Sequence, residues 1–136
     1  MRILIVDDDP VSLAKLNVLL KKYGECDMAL SGSEAIDKFE KAHEDYKPYK
    51  LISLDIDMPD MRGQEVLARI HRWELDHKVE EVGGKAKVIM VTALDDVDNL
   101  VESFRKGCSG YLTKPFNAEK LRETLAKLDI REEYLG

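Results

Sequence analysis

The pattern that most limits what this chain can become is a set of short apolar runs, each ending on a residue suited to phosphoryl chemistry. Ile3-Leu4-Ile5-Val6 leads into Asp7-Asp8-Asp9, Leu51-Ile52-Ser53-Leu54 into Asp55, Val88-Ile89-Met90-Val91 into Thr92, and Gly110-Tyr111-Leu112-Thr113 into Lys114-Pro115. Brief apolar runs bounded by breakers predict strands buried on both faces. Helical patterns lie between them, and such alternation predicts an α/β fold with a parallel sheet. All strand ends then share one edge, where sites of open α/β sheets form. Three acids, a hydroxyl and a lysine would meet in one crevice there.

The spacing predicts strands over residues 2–7, 25–29, 50–55, 87–92 and 109–113. The first helix starts at Asp9-Pro10, an N-cap followed by proline at the first helical position, and runs to Tyr23 before Gly24. Ser31 to Glu34 has capping-box spacing ahead of a second helix ending near Glu44. A turn over 58–63 leads into a third helix from Gln64 to Asp76. In the fourth, Val97, Leu100, Val101 and Phe104 form one apolar stripe, closed by Gly107. Asn117 caps a fifth helix with Leu121, Leu125 and Leu128 on its inner face. The reading places one domain over 1–128 and a short, frayed tail over 129–136. The connection from His77 to Ala86, with Gly83-Gly84, is longer than usual and is expected to be mobile.

The chain has 136 residues, enough for one domain with a real core. A net charge of −6 gives no electrostatic support to nucleic-acid binding. No run approaches the roughly 18 apolar residues of a membrane span, and the N-terminal apolar stretch meets three aspartates rather than a cleavage site. Cys26 and Cys108 lack CxxC spacing and read as reduced small apolar residues of a cytoplasmic protein. His43, His71 and His77 show no ligand spacing and read as helix-surface residues.

A divalent cation held for phosphoryl work wants hard oxygen ligands, which Asp8 and Asp55 can supply from neighbouring strand ends. A carboxylate can also attack phosphorus to give an acyl phosphate. The transferring group's charge must then be offset, by the metal, by an ammonium such as Lys114, and by a hydroxyl such as Thr92.

Together Val6-Asp7-Asp8, Leu54-Asp55-Ile56-Asp57-Met58-Pro59 with Gly63, Val91-Thr92-Ala93, and Tyr111-Leu112-Thr113-Lys114-Pro115-Phe116 resemble a response-regulator receiver domain over essentially the whole chain. The resemblance implies a flavodoxin-like sheet in order 2-1-3-4-5 with helices on both faces. It implies phosphorylation of Asp55 by a histidine kinase or phosphotransfer protein, with Mg2+ held by Asp7, Asp8, Asp55 and the backbone carbonyl of Asp57. Thr92 and Tyr111 match the switch pair, although an aromatic on an inner strand is ordinarily core. Lys114 matches the phosphate-contacting lysine, and the Lys114–Pro115 bond is expected to be cis. The module would assist its own phosphorylation and dephosphorylation without being an ordinary enzyme. Its output partner would dock on the fourth helix, fifth strand and fifth helix, and self-association stays open. With no room for an output domain after Leu128, the chain reads as a stand-alone receiver.

Two segments depart from the family pattern, an insertion over 44–50 and the long connection before the fourth strand. Neither touches the motifs. The Asp57 side chain is a third carboxylate that could orient or repel attacking water. The rival reading is a haloacid-dehalogenase-type aspartate-nucleophile phosphatase, which Asp55-x-Asp57, Thr92 and Lys114 satisfy superficially. In that class the nucleophile usually sits on the first strand and an acidic pair follows the lysine; here neither holds.

Overall fold

Five strands form one parallel sheet: β1 (Arg2–Val6), β2 (Glu25–Ala29), β3 (Leu51–Asp55), β4 (Lys87–Ala93) and β5 (Gly110–Lys114), in the order β2-β1-β3-β4-β5. The helices between and after them are α1 (Pro10–Leu20), α2 (Gly32–Glu44), α3 (Gly63–Asp76), α4 (Val97–Arg105) and α5 (Ala118–Ala126). This computed structural model describes residues 1–79, 84–93 and 97–133. Of the connection before β4 expected to be mobile, residues 80–83 lie outside the described ones.

Both sheet faces are covered, so the apolar runs need not alternate with polar residues. Leu4, Val6, Ile52 and Leu54 pack with Ala35 and Phe39 of α2 and Val66, Leu67 and Ile70 of α3. Their neighbours Ile3, Ile5 and Leu51 point the other way, onto Leu13, Leu16 and Leu20 of α1 and Leu121 and Leu125 of α5. The period-2 geometry of a strand sends alternate side chains to opposite layers.

The caps are mostly those the local residue pattern signals. Asp9 accepts from the Val11 N–H at 3.1 Å, and Asn117 from the Lys120 N–H at 2.8 Å. Ser31 accepts from the Glu34 N–H at 3.1 Å, but Glu34 returns its bond to the Leu30 N–H, one residue earlier than a capping box requires. Gly107 ends α4 with φ +97°, a conformation that costs glycine little; Gly107 N–H bonds to Phe104 and Cys108 N–H to Ser103 in a Schellman arrangement.

The α4 stripe faces outward at Val101 and Phe104, which are 46% and 47% exposed. Among the described side chains of that helix Ser103 is the buried one, and its hydroxyl donates to the Asn99 carbonyl. Two expectations need correction. Tyr111 is not core. It is 43% exposed on the sheet's edge strand, and its ring meets Phe104 edge-to-face at 5.9 Å. The segment after α5 is not frayed where it is described. Ile130 is buried against the α1/α5 core, and the Glu133 N–H bonds to the Lys22 carbonyl. Residues 134–136 lie outside the described ones.

Candidate functional site

Strand register places the chemistry. Val6 pairs with Leu54, so Asp7 and Asp55 leave adjacent strands side by side. Asp55 pairs with Val91, and Ala93 with Lys114, which brings Thr92 and Lys114 to the same edge. The crevice lies between β1 and β3, where the strand order reverses, the usual place for a ligand in an open α/β sheet.

Asp7, Asp8 and Asp55 each offer a carboxylate oxygen, and these oxygens lie within 4.8 Å of one another. Lys114 Nζ lies 3.4 Å from Asp7 Oδ2 and 3.5 Å from Asp55 Oδ1. Asp7 is fully buried and accepts from the Asp9 N–H at 2.9 Å; Asp55 is buried, while Asp8 is exposed. Burial, then the neighbouring Asp7 charge, pushes the Asp55 carboxyl up to about 7 against the pull of Lys114. Burial likewise raises Asp7. Lys114 is raised overall: burial works to lower it, and the Asp55 and Asp7 carboxylates outweigh that. Two buried acids facing one ammonium leave the site short of positive charge. Three hard oxygen donors at this spacing suit a small divalent cation.

The remaining candidate residues divide. Thr92 is buried at the end of β4, and among the described residues its hydroxyl makes one long bond, 3.4 Å to the Ala93 carbonyl. Asp57 is exposed and its side chain stands outside the carboxylate group. The Lys114–Pro115 peptide is cis. Gly63 closes the turn before α3 under the acceptor strand: a Cβ there would lie 2.4 Å from the Asp55 carbonyl oxygen.

Several supporting residues carry no motif. Lys15 of α1 reaches over to donate to the Phe116 carbonyl at 2.6 Å and covers the Phe116 ring, fastening the segment after Lys114. Asp60 accepts from the Gly32 and Ser33 N–H groups, both at 3.1 Å, and so joins the β3–α3 turn to the start of α2. Arg62 and buried Gln64 both donate to Asn99 of α4, at 2.6 and 3.0 Å. These are contacts between distant segments, and no local spacing announces them.

Fold and site define an open α/β-sheet protein with an acidic, lysine-bearing crevice at its strand carboxyl ends. The family model of the response regulator receiver domain matches residues 3–126, and the chain belongs to this family of two-component signalling modules. It is 30% identical over 129 residues to the chemotaxis protein CheY of Listeria monocytogenes, covering 93% of this chain and 97% of that protein. It is 32% identical to the transcriptional regulatory protein TrcR of Mycobacterium tuberculosis over 99% of this chain but 48% of that protein. The chain thus spans about half of TrcR, and 7% of the hybrid signal transduction histidine kinase L of Dictyostelium discoideum. Among solved structures, a CheY-like receiver domain from Methanospirillum hungatei superimposes with a TM-score of 0.74 at 32% identity, covering 94% of this chain and 90% of that one. CheY4 of Vibrio cholerae does so with 0.76 at 29% identity, covering 93% and 97%. The match lends no support to the dehalogenase-type phosphatase reading. No helix among the described residues is long and apolar enough to cross a membrane.

Proposed function

We propose that Asp55 accepts a phosphoryl group from a histidine kinase or phosphotransfer protein and that the acyl phosphate changes which partner the protein binds. The observation that carries this is the convergence of Asp7, Asp8 and Asp55 within 4.8 Å, with Lys114 3.5 Å from Asp55. An Asp55 carboxylate oxygen attacks phosphorus, the P–N bond to the donor histidine breaks, and the imidazole leaves with the bonding pair. Hydrolysis reverses the modification: water attacks phosphorus, and the Asp55 carboxylate and inorganic phosphate are released.

The Asp7, Asp8 and Asp55 carboxylates and the Asp57 backbone carbonyl would hold Mg2+. When bound, the ion supplies positive charge to the transferring phosphoryl oxygens. Lys114 contributes an ammonium to the same oxygens. Thr92 is suited to follow the added charge because its hydroxyl makes only one long bond among the described residues. The new acceptor oxygens offer it a better partner, shifting an equilibrium between arrangements. Tyr111 next to Phe104 would report that shift on the face of α4, β5 and α5, where Val101, Phe104 and Tyr111 form an exposed apolar patch. A phosphodonor has a separate surface. Val11, Ala14 and Val18 expose an apolar stripe on α1 beside the crevice mouth, matching a partner helix with an apolar face.

Incubation with radiolabelled acetyl phosphate and Mg2+ tests the assignment. Stoichiometric, hydroxylamine-labile label that is lost in Asp55→Asn and with chelator is expected. Label retained in Asp55→Asn would overturn it. Phosphoryl lifetime in Asp57→Asn separately tests the exposed third carboxylate, with equal lifetimes counting against a role.

A further inference from the structure

At the opposite end of the sheet from Asp55, a groove of about 430 Å3 runs between α3, the start of β4 and the turn from α4 to β5. It is lined by His71, Lys85, Lys87, Arg105 and Lys106, together with Ala86, Gly107 and Ser109. No acidic side chain lines it among the described residues, in a chain whose net charge is −6. The α4 carboxyl terminus explains Arg105 and Lys106, since cations there offset the helix dipole. It does not explain Lys85 and Lys87, which come from β4 and the residues just before it, or His71, which comes from α3.

The groove has a built floor. His71 Nδ1 lies 3.0 Å from Glu74 Oε1, and His71 Nε2 lies 3.0 Å from the Gly107 carbonyl oxygen. The Gly107 carbonyl accepts and the Glu74 carboxyl offers an acceptor oxygen, so this pair of contacts favours the doubly protonated ring. The hydrogen bond to Glu74 raises the His71 pKa, against burial and with help from Gly107. Glu74 is 1% exposed and uses its other oxygen to accept from the Ala86 N–H at 2.8 Å. Its charge is therefore beneath the groove and engaged from two sides. Gly107 is held close: a Cβ on it would approach His71 Nε2 to 3.1 Å. Lys87 is anchored on the Leu128 carbonyl, and Lys106 pairs with Glu102 along α4 at 3.3 Å. Arg105 has no ion-pair partner among the described residues and extends a planar, multiply donating group at the rim.

We propose that this groove binds a small, multiply charged oxyanion, a phosphate- or carboxylate-bearing ligand, distinct from the phosphoryl group at Asp55. Arg105 and Lys106 donate to it, and Lys87 adds charge. His71, with both nitrogens engaged, contributes charge rather than a hydrogen bond. A ligand there would clamp the end of α4 to β4, on the element that also carries Val101 and Phe104. The proposal does not rest on the role of Asp55.

The test is an amide and histidine-ring NMR titration of the full chain with pyrophosphate and, in parallel, citrate, without divalent cations. Saturable shifts centred on Gly107 and His71 are expected, about tenfold weaker in Arg105→Gln/Lys106→Gln, where two exposed charges are lost and the fold is kept. Saturation by pyrophosphate alone identifies a phosphate ligand, and saturation by citrate alone a carboxylate. Shifts that grow linearly and match sodium chloride at equal ionic strength would overturn the proposal, as would equal affinity in the double variant.

Discussion

Lys114 Nζ stands 3.5 Å from Asp55 Oδ1, although their strands are not neighbours and β4 runs between them. The lysine must lean across the end of β4, and the contact couples the outermost strand of the sheet to the acceptor position. It is one ammonium for two buried acids, because the same nitrogen is 3.4 Å from Asp7.

That shortage sets the first expectation. The Asp55 carboxyl is raised from 3.8 to about 7, so the folded chain holds this proton more tightly than the unfolded one. The cost of ionising it is absent below about pH 4, grows through the window from 3.8 to about 7, and is full above it. Asp55→Asn removes that cost. In chelator-containing buffer the variant should be more stable than wild type by about 1–3 kcal/mol at pH 8, with the gap shrinking towards pH 5. Urea midpoints at the two pH values check this; a gap that widens on acidification would contradict it.

Gly63 offers a steric expectation. Its backbone φ is not left-handed, so glycine is needed here for close approach rather than for conformation. A methyl group would sit 2.4 Å from the Asp55 carbonyl oxygen and 2.9 Å from the Ile56 Cα, both backbone atoms that cannot rotate away. Gly63→Ala should cost about 2–4 kcal/mol and slow phosphorylation by displacing Asp55. Equilibrium unfolding and acetyl-phosphate labelling measure the two effects, and a variant normal in both would remove the steric account.

The sheet and its edge were legible because both arise from short-range rules. Apolar runs such as 3–6 and 51–54 mark doubly covered strands, and parallel order brings their ends together without further information. The meeting of acids, hydroxyl and lysine followed from those same ends, while the cis Lys114–Pro115 bond and the division of roles among the acids came through the family resemblance. The core reading of Tyr111 misled because its strand is the sheet's edge, and the α4 stripe left its side undecided: periodicity reports that residues share a face, not whether the fold covers that face. Val101, Phe104 and Tyr111 share a face that the rest of the domain leaves open. Asp60, Lys15 and Asn99 were silent because their bonds join segments far apart in sequence. Ile130 was missed because a single apolar residue among charges carries no period.

Ser53 is the one polar residue inside the β3 run, flanked in register by Ile5 and Ile89. Its hydroxyl is buried without a hydrogen-bond partner, the only such side-chain atom among the described residues. An unmade bond in an apolar layer costs more than its absence. Ser53→Ala should therefore be neutral or stabilising by up to about 1 kcal/mol, where core truncations ordinarily destabilise. Thermal unfolding decides it: a loss above about 1 kcal/mol would mean that the hydroxyl has a partner.

His71 and Glu74 supply an expectation of opposite pH sign to that of Asp55. The His71 pKa is raised above 6.5, first by its bond to Glu74, so the pair's contribution is complete below pH 6.5 and is lost as pH rises through the folded-state value. The charged groups facing the imidazole are Glu74 on α3, Lys85 and Lys87 beside and on β4, and Arg105 and Lys106 at the end of α4. Burial, and after it Lys85, oppose its protonation, and the bond to Glu74 at 3.0 Å outweighs them. His71→Ala leaves Glu74 Oε1 buried without this partner and should destabilise by about 2–3 kcal/mol at pH 6. The difference should narrow as pH rises through the folded-state value, where wild type itself gives up the proton. Urea unfolding of both proteins across that range is the measurement, and a difference constant with pH would show that His71 acts by packing rather than by charge.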